Sequence, residues 1–248
     1  MTRDGSATHP RRGSRTSRSR RRGAQAGAWE IVDLQASGPL GPDVVSPSLE
    51  ELLTAMGALP AKLSWDVVAE RVVPLFVRLR PYPPSAPPPL CTVVPPGVSI
   101  GFGMDIGPAF VNVNAELLAD WSMSVPELTA QAMTNLGRRA SRIDPGAVLR
   151  QHVVGVAMDV LQADAGIASA LVLEPAQLER LFGSAPRIFI APMRSLLIAL
   201  PGDTDRDLAR LIYGELAEQD PNCLAPLAFV WREGHVSVEA LGAAFGEA

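Results

Sequence analysis

Short apolar runs that come in adjacent pairs constrain this fold more than any other feature of the sequence. The stretch RIFIAPMRSLLIALP, residues 187–201, places Pro192-Met193-Arg194 between two such runs. VSIGFGMDI with AFVNVN, the two halves of PLAFVWREGHVSV, and VLRQHVVGVAMDVL with GIASALVL follow the same pattern. Paired runs around turn residues are typical of β-hairpins. Because helical patterns separate the pairs, we predict an α+β fold of antiparallel β-hairpins packed with amphipathic helices.

The helical patterns carry recognisable start signals. SLEELLTAMG opens with Ser48 and Glu51 at capping-box spacing, and Ser124 precedes the longer segment VPELTAQAMTNLGRRA. We expect an amphipathic helix over 64–80, where apolar residues recur at helical spacing and Pro74 either kinks the helix or begins a second one. Shorter helices are predicted for NAELLADW and EPAQLERLFG, and DTDRDLARLIYGELAEQ predicts one near the carboxyl terminus.

Charge is distributed very unevenly along the chain. Residues 1–28 hold eight arginines and one aspartate, a net charge of +7, which leaves 14 basic and 25 acidic residues, or −11, for the rest. An arm without apolar residues to bury does not offset the entropy of ordering, so we predict that it is disordered. Clustered arginines also favour polyanions, through side chains that include Arg11, Arg12, Arg15, Arg18, Arg20, Arg21 and Arg22. The alternatives are a solvated tail, or upstream sequence that is not translated and is included because the start codon is misplaced.

Composition shifts divide the rest of the chain. Six prolines between 81 and 89 favour an extended conformation and a joint between subdomains. We therefore predict an N-terminal helical segment over 29–80, a proline-rich linker over 81–90 and an α+β domain over 91–248.

Several classes of function are disfavoured. No apolar run approaches the roughly 18 residues of a membrane span, so we expect a soluble cytoplasmic protein without a membrane partner. GFGMDIG precedes a strand pattern where a dinucleotide loop requires a helix, so we expect no cofactor. The acidic residues of DTDRD lack the further ligands of a calcium loop, so we expect helix capping by Asp203 or Thr204 and no metal.

Arg194 is the candidate binding residue that these patterns leave open. As a residue of a hairpin turn, it is expected to lie in solvent. Alternatively, its guanidinium pairs with Asp203 or Asp205, or holds an anion, because the planar fork matches carboxylate and phosphate.

Three stretches also carry a resemblance to a known family. FVNVNAELLADWSMSVPELTAQAMTNL, ASALVLEPAQLERLFG and PRIFIAPMRSLLIALP, in this order, resemble the domain-of-unknown-function family 1444 of bacterial proteins over roughly residues 98–235. In the turn Pro192-Met193-Arg194-Ser195, serine stands where the family pattern leads us to expect aspartate. The resemblance implies a bacterial cytoplasmic α+β domain and no particular chemistry.

Three functions follow as hypotheses. The first is a non-enzymatic module that binds a protein partner through a sheet face or a hairpin edge. The second is an enzyme of unknown reaction that uses Arg194 with Asp203 or Asp205. The third is nucleic-acid binding through the arginine-rich arm only.

Overall fold

A computed structural model describes residues 48–59, 63–77, 87–94, 98–153, 155–163, 166–217 and 223–242. Within these ranges the chain is a mixed α+β fold with two antiparallel sheets, as predicted. The helices are α1 (Leu49–Gly57), α2 (Trp65–Val68), α3 (Ala115–Asp120), α4 (Val125–Ala140), α5 (Pro175–Phe182) and α6 (Arg206–Ala217). The strands are β1 (Val72–Phe76), β2 (Cys91–Val94), β3 (Val98–Asp105), β4 (Phe110–Asn112), β5 (Leu149–Val153), β6 (Val156–Gln162), β7 (Arg187–Ile190), β8 (Leu196–Pro201), β9 (Leu227–Arg232) and β10 (His235–Ala240).

The first sheet is built around β3, which pairs with β1 on one side and with β2 and β4 on the other. Gly101 and Gly103 in β3 make room for large neighbours. A Cβ atom on Gly103 would lie 2.3 Å from Cδ1 of Leu75, and one on Gly101 would lie 2.7 Å from Cγ2 of Val77. Glycine is therefore needed for Leu75 to lie across the central strand.

The prediction of a helix throughout 64–80 is wrong beyond Val68. Residues Val72–Phe76 form β1, in which all five residues are buried. Val72 faces the core beneath α1 and α3, whereas Val73 and Leu75 face the core between the sheets. Pro74 lies in this strand, at the edge of the sheet, where proline is tolerated. Residues on both sides of the proline-rich stretch thus contribute to one sheet.

The second sheet has the strand order β10-β9-β7-β8-β6-β5. Its hairpins β7–β8 and β9–β10 are the predicted ones, and Ile188, Ile190, Leu196 and Ile198 are buried as expected. One face contributes Leu161, Leu197 and Phe229 to the core between the sheets. The other face packs against Ile212 and Tyr213 of α6.

The predicted pairing of VLRQHVVGVAMDVL with GIASALVL differs in the structure. VLRQHVVGVAMDVL is itself a hairpin of β5 and β6, which turns at Gly155 with a φ of +78°. The stretch expected as its partner strand is instead a 3₁₀ helix over Ser169–Leu173. Residues 169–172 are buried without the alternation of a half-exposed strand, so periodicity does not separate the two conformations.

Local capping signals are reproduced closely. Ser48 with Glu51 and Ser124 with Glu127 form reciprocal capping boxes at α1 and α4. In both boxes, hydrogen bonds from the serine lower the pKa of the glutamate. The backbone N–H of Ser48 contributes most at Glu51, and the hydroxyl of Ser124 contributes most at Glu127. In the described part of the chain, no helix has the length and apolar character to cross a membrane.

Candidate functional site

Arg194 lies in the loop between β7 and β8, but it is not the solvated turn residue expected. Only 7% of its surface is exposed, and its Nε donates a 3.1 Å hydrogen bond to the carbonyl of Phe76 in β1. Two backbone hydrogen bonds also fix this loop. The carbonyl of Arg194 accepts from the Ser169 N–H, and the carbonyl of Pro192 accepts from the Leu224 N–H. Arg194 therefore joins the two sheets.

Asp203 and Asp205 lie at the opposite end of β8 from Arg194. The six residues of β8 separate them, a span of about 20 Å for an extended chain. Both aspartates are exposed. The Asp205 carboxylate accepts the Asp207 N–H at 2.8 Å, so Asp205, rather than the expected Asp203 or Thr204, caps α6. The structure does not bring the three candidate residues together.

The predicted polyanion-binding arginines fall outside the described residues. This applies to Arg11, Arg12, Arg15, Arg18, Arg20, Arg21 and Arg22. Among the residues that are described, no group of three His, Cys, Asp or Glu side chains is placed to hold a metal ion.

The end of α4 forms an open cleft of about 550 Å³ that the sequence analysis did not identify. Three arginines from the stretch GRRASR line it, together with one exposed carboxylate from the segment before β1 and one from the turn after α4. Apolar residues and one amide form the rest of the wall. The charged residues are Glu70, Arg138, Arg139, Arg142 and Asp144, and the others are Ile143, Ala147, Gln162, Ala163 and Ile167.

The cleft arginines differ in what they contact. Arg139 forms a 2.6 Å ion pair with Asp105, and both side chains are about four-fifths buried. Arg138 donates to Asn135 Oδ1 at 2.8 Å and pairs with Glu70 at 3.2 Å. Arg142 is exposed, and its guanidinium makes no hydrogen bond or ion pair to the residues that the structure describes.

Asn135 holds the side chain of Arg138 in position. It is fully buried, and its Nδ2 donates to the carbonyls of Ala69 and Val72 at 2.7 and 2.8 Å. This fixes Oδ1 toward the cleft, where it accepts from Arg138 and from Gln131. A buried amide with these partners holds one arginine of the cleft in a defined position.

A second charged cluster lies in the large sheet. Asp159 of β6 is buried, accepts two hydrogen bonds from Arg150 at 2.8 and 3.2 Å, and pairs with Arg187 at 3.1 Å. The hydrogen bonds from Arg150, with the positive charge of Arg187, lower the pKa of Asp159 against the opposing effect of burial. Because Arg187 also donates to the carbonyl of Phe182, we assign this cluster a role in stabilising the fold and not in binding a ligand.

Glu174 is the one described carboxyl group with a raised pKa, and burial is the cause. It lies before α5, with its carboxylate near Gly137 of α4. Among the described residues its carboxylate forms no hydrogen bond or ion pair with another side chain, so it has no partner that marks it as a catalytic base.

The free edge of β2 is the third notable feature. Within the described ranges β2 pairs with β3 alone, and its outer backbone has no strand partner there. Val93 and Val94 are 55% and 39% exposed. Since successive side chains of a strand point to opposite faces, neither face of β2 is covered by the described part of the chain.

Comparisons with protein-family models, curated proteins and solved structures give no match to this chain. The resemblance to the domain-of-unknown-function family 1444 therefore stays a prediction.

Proposed function

We propose that the chain is a non-enzymatic protein-binding module of the cytoplasm that adds an extended segment of a partner to the free edge of β2. The observation that carries this proposal is an uncharged edge strand with two exposed valines and no outer neighbour among the described residues. An unpaired row of backbone N–H and C=O groups is a template for another strand.

The other sheet edges support β2 as the preferred one. β1 and β4 are buried at every residue, while β5 and β10 carry exposed charged residues such as Arg150 and Glu239. Charged side chains at an edge disfavour pairing with a second chain, and β2 has none. Pro89 and Pro95 flank β2 and limit pairing to about four residues. The partner is therefore a short extended segment whose apolar, β-branched side chains face Val93 and Val94.

The competing functions receive less support. An enzyme that uses Arg194 with Asp203 or Asp205 requires residues that a strand length separates. Nucleic-acid binding rests on an arm outside the described residues, and the remainder of the chain carries a net charge of −11. Folded acidic surfaces repel nucleic acid.

A charged edge variant tests the proposal. Val93→Lys adds to β2 the charge that protects natural edges, and Val67→Lys changes a valine of similar exposure on α2. Full-length wild type and both variants are used as bait in a lysate, after thermal melts confirm that they fold. We expect one captured protein to be lost with Val93→Lys and retained with Val67→Lys.

Hydrogen exchange then locates the contact. The purified partner should slow exchange of the backbone amides in residues 91–94, because a new strand satisfies them. The proposal is wrong if every protein captured by wild type is also captured by Val93→Lys, or if the partner protects amides elsewhere and not in β2.

A further inference from the structure

The arginine cleft at the end of α4 is independent of the β2 edge. Its volume of about 550 Å³ lies in the range of sites for small organic ligands. Arg138 lies in the last turn of α4 and Arg142 lies two residues beyond the helix end, and both line the cleft. Two arginine side chains thus line a space of the size that small organic ligands occupy.

Arginines at a helix end often donate hydrogen bonds to the last carbonyl groups, but here those carbonyls already accept hydrogen bonds from other donors. The Gly137 carbonyl accepts from the Ser141 N–H, that of Arg138 from the Ser141 hydroxyl, and that of Arg139 from the Arg142 N–H. The carbonyl of Ala140 accepts from the Ile143 N–H and from Arg180. The side chain of Arg142 is therefore not used as a helix cap.

The charges of the cleft select the ligand. Asp105 neutralises Arg139, which leaves Arg138 and Arg142 facing Glu70 and Asp144. The carboxylate of Asp144 already accepts one hydrogen bond, from the Gly146 N–H at 2.9 Å. The Glu70 side chain is 78% exposed and can rotate away from Arg138 into solvent. With Glu70 turned away, Arg138, Arg142 and Asp144 carry a net charge of +1, which a single negative charge neutralises, whereas a doubly charged phosphate leaves an excess of negative charge beside Asp144.

The uncharged wall indicates what the negative group is attached to. Ile143 and Ile167 offer apolar surface beside the arginines, and Gln162 contributes an amide. A ligand that placed an alkyl chain on this wall would remove apolar surface from water while its charged end remained at the guanidinium groups.

We propose that this cleft binds an organic carboxylate with an apolar body. The carboxylate lies between Arg142 and Arg138, and Asn135 positions the latter. Arg142 supplies the paired N–H groups that match the two oxygens of a carboxylate. A free small acid and the carboxyl terminus of a polypeptide share this chemistry.

Calorimetric titration of the full chain with octanoate tests the site. Arg142→Gln removes a guanidinium that makes no hydrogen bond or ion pair within the described part of the chain, and Arg232→Gln changes an exposed arginine outside the cleft. We expect Arg142→Gln to raise the dissociation constant for octanoate by about 10- to 100-fold, the range of a charge-assisted hydrogen bond. Arg232→Gln should leave it within about twofold, and acetate, which lacks the apolar body, should bind wild type at least about tenfold more weakly.

Two further probes distinguish the sources and the competing chemistry. A trileucine peptide with a free carboxyl terminus, but not its amide, binds wild type if the natural ligand is a polypeptide end. Octanoate binding without peptide binding indicates that the natural ligand is a free small acid. The proposal is overturned if neither probe binds, if Arg142→Gln binds as wild type does, or if inorganic phosphate binds in preference to both.

Discussion

The Nε atom of Arg194 donates to the carbonyl oxygen of Phe76, and this bond joins two sheets through residues 118 positions apart in the chain. It lies in the region where both sheets meet one core, close to Phe229, whose ring centroid is 5.3 Å from that of Phe76. A buried carbonyl at the end of a strand must find a donor, and Arg194 supplies it.

Replacement of Arg194 therefore tests a structural role. Arg194→Ala leaves the Phe76 carbonyl buried without this donor, which costs about 1 to 3 kcal/mol in the free energy of unfolding. Urea unfolding of the variant measures it, with Arg232→Ala as an exposed control expected within about 0.5 kcal/mol. A change below about 0.5 kcal/mol for Arg194→Ala would show that the bond contributes nothing to stability.

Asn135 should be as sensitive as Arg194. Asn135→Ala removes the donor to two backbone carbonyls, and we expect a loss of about 2 to 4 kcal/mol in the free energy of unfolding. The exposed Thr134 on the same helix gives a control, because Thr134→Ala removes only a bond to a carbonyl within α4. Equal stability of the two variants in denaturant would contradict the role assigned to Asn135.

Two glycines should respond to alanine with opposite signs. Gly103→Ala places a Cβ atom against buried Leu75, so we expect a loss of about 1 to 3 kcal/mol. Gly214 lies inside α6 with open space around the position that a Cβ atom would take, so Gly214→Ala should gain about 0.5 to 1 kcal/mol. Thermal melts of both variants measure the difference, and destabilisation by Gly214→Ala would contradict the open space there.

Acid should weaken the fold through Asp159. Because the pKa of Asp159 is lower in the folded state, its contribution is present above the unfolded pKa of about 4 and is lost as the pH falls through the folded pKa. Arg150→Gln removes the largest cause of the lowered pKa, so we expect stability to be lost at a higher pH than in wild type. Urea unfolding between pH 7 and pH 3 provides the comparison, and identical pH profiles would contradict the assignment.

The basic arm gives a prediction from sequence alone. Deletion of residues 1–28 should leave the thermal midpoint within about 1 to 2 °C and should abolish salt-sensitive retention on DNA, since the arginine cluster is removed. Retention that survives the deletion would place a polyanion site in the remaining chain.

Sequence reasoning finds the features that depend on near neighbours. The capping boxes at Ser48 and Ser124 and the hairpins β7–β8 and β9–β10 are local signals, and the structure confirms them. The sequence pattern of β1 predicts a helix, wrongly, because a run buried on both faces has no strand periodicity. The surroundings of Arg194 and Asn135 depend on partners more than 60 positions away, which no local pattern reveals.

The core between the sheets has a consequence for how the protein melts. Val73 and Phe110 of the first sheet share this core with Leu197 and Phe229 of the second, and Leu136 of α4 packs among them. Neither sheet can open on that side without exposing apolar surface of the other. Heat or denaturant should therefore take both sheets apart in one cooperative transition, with no state in which one persists alone.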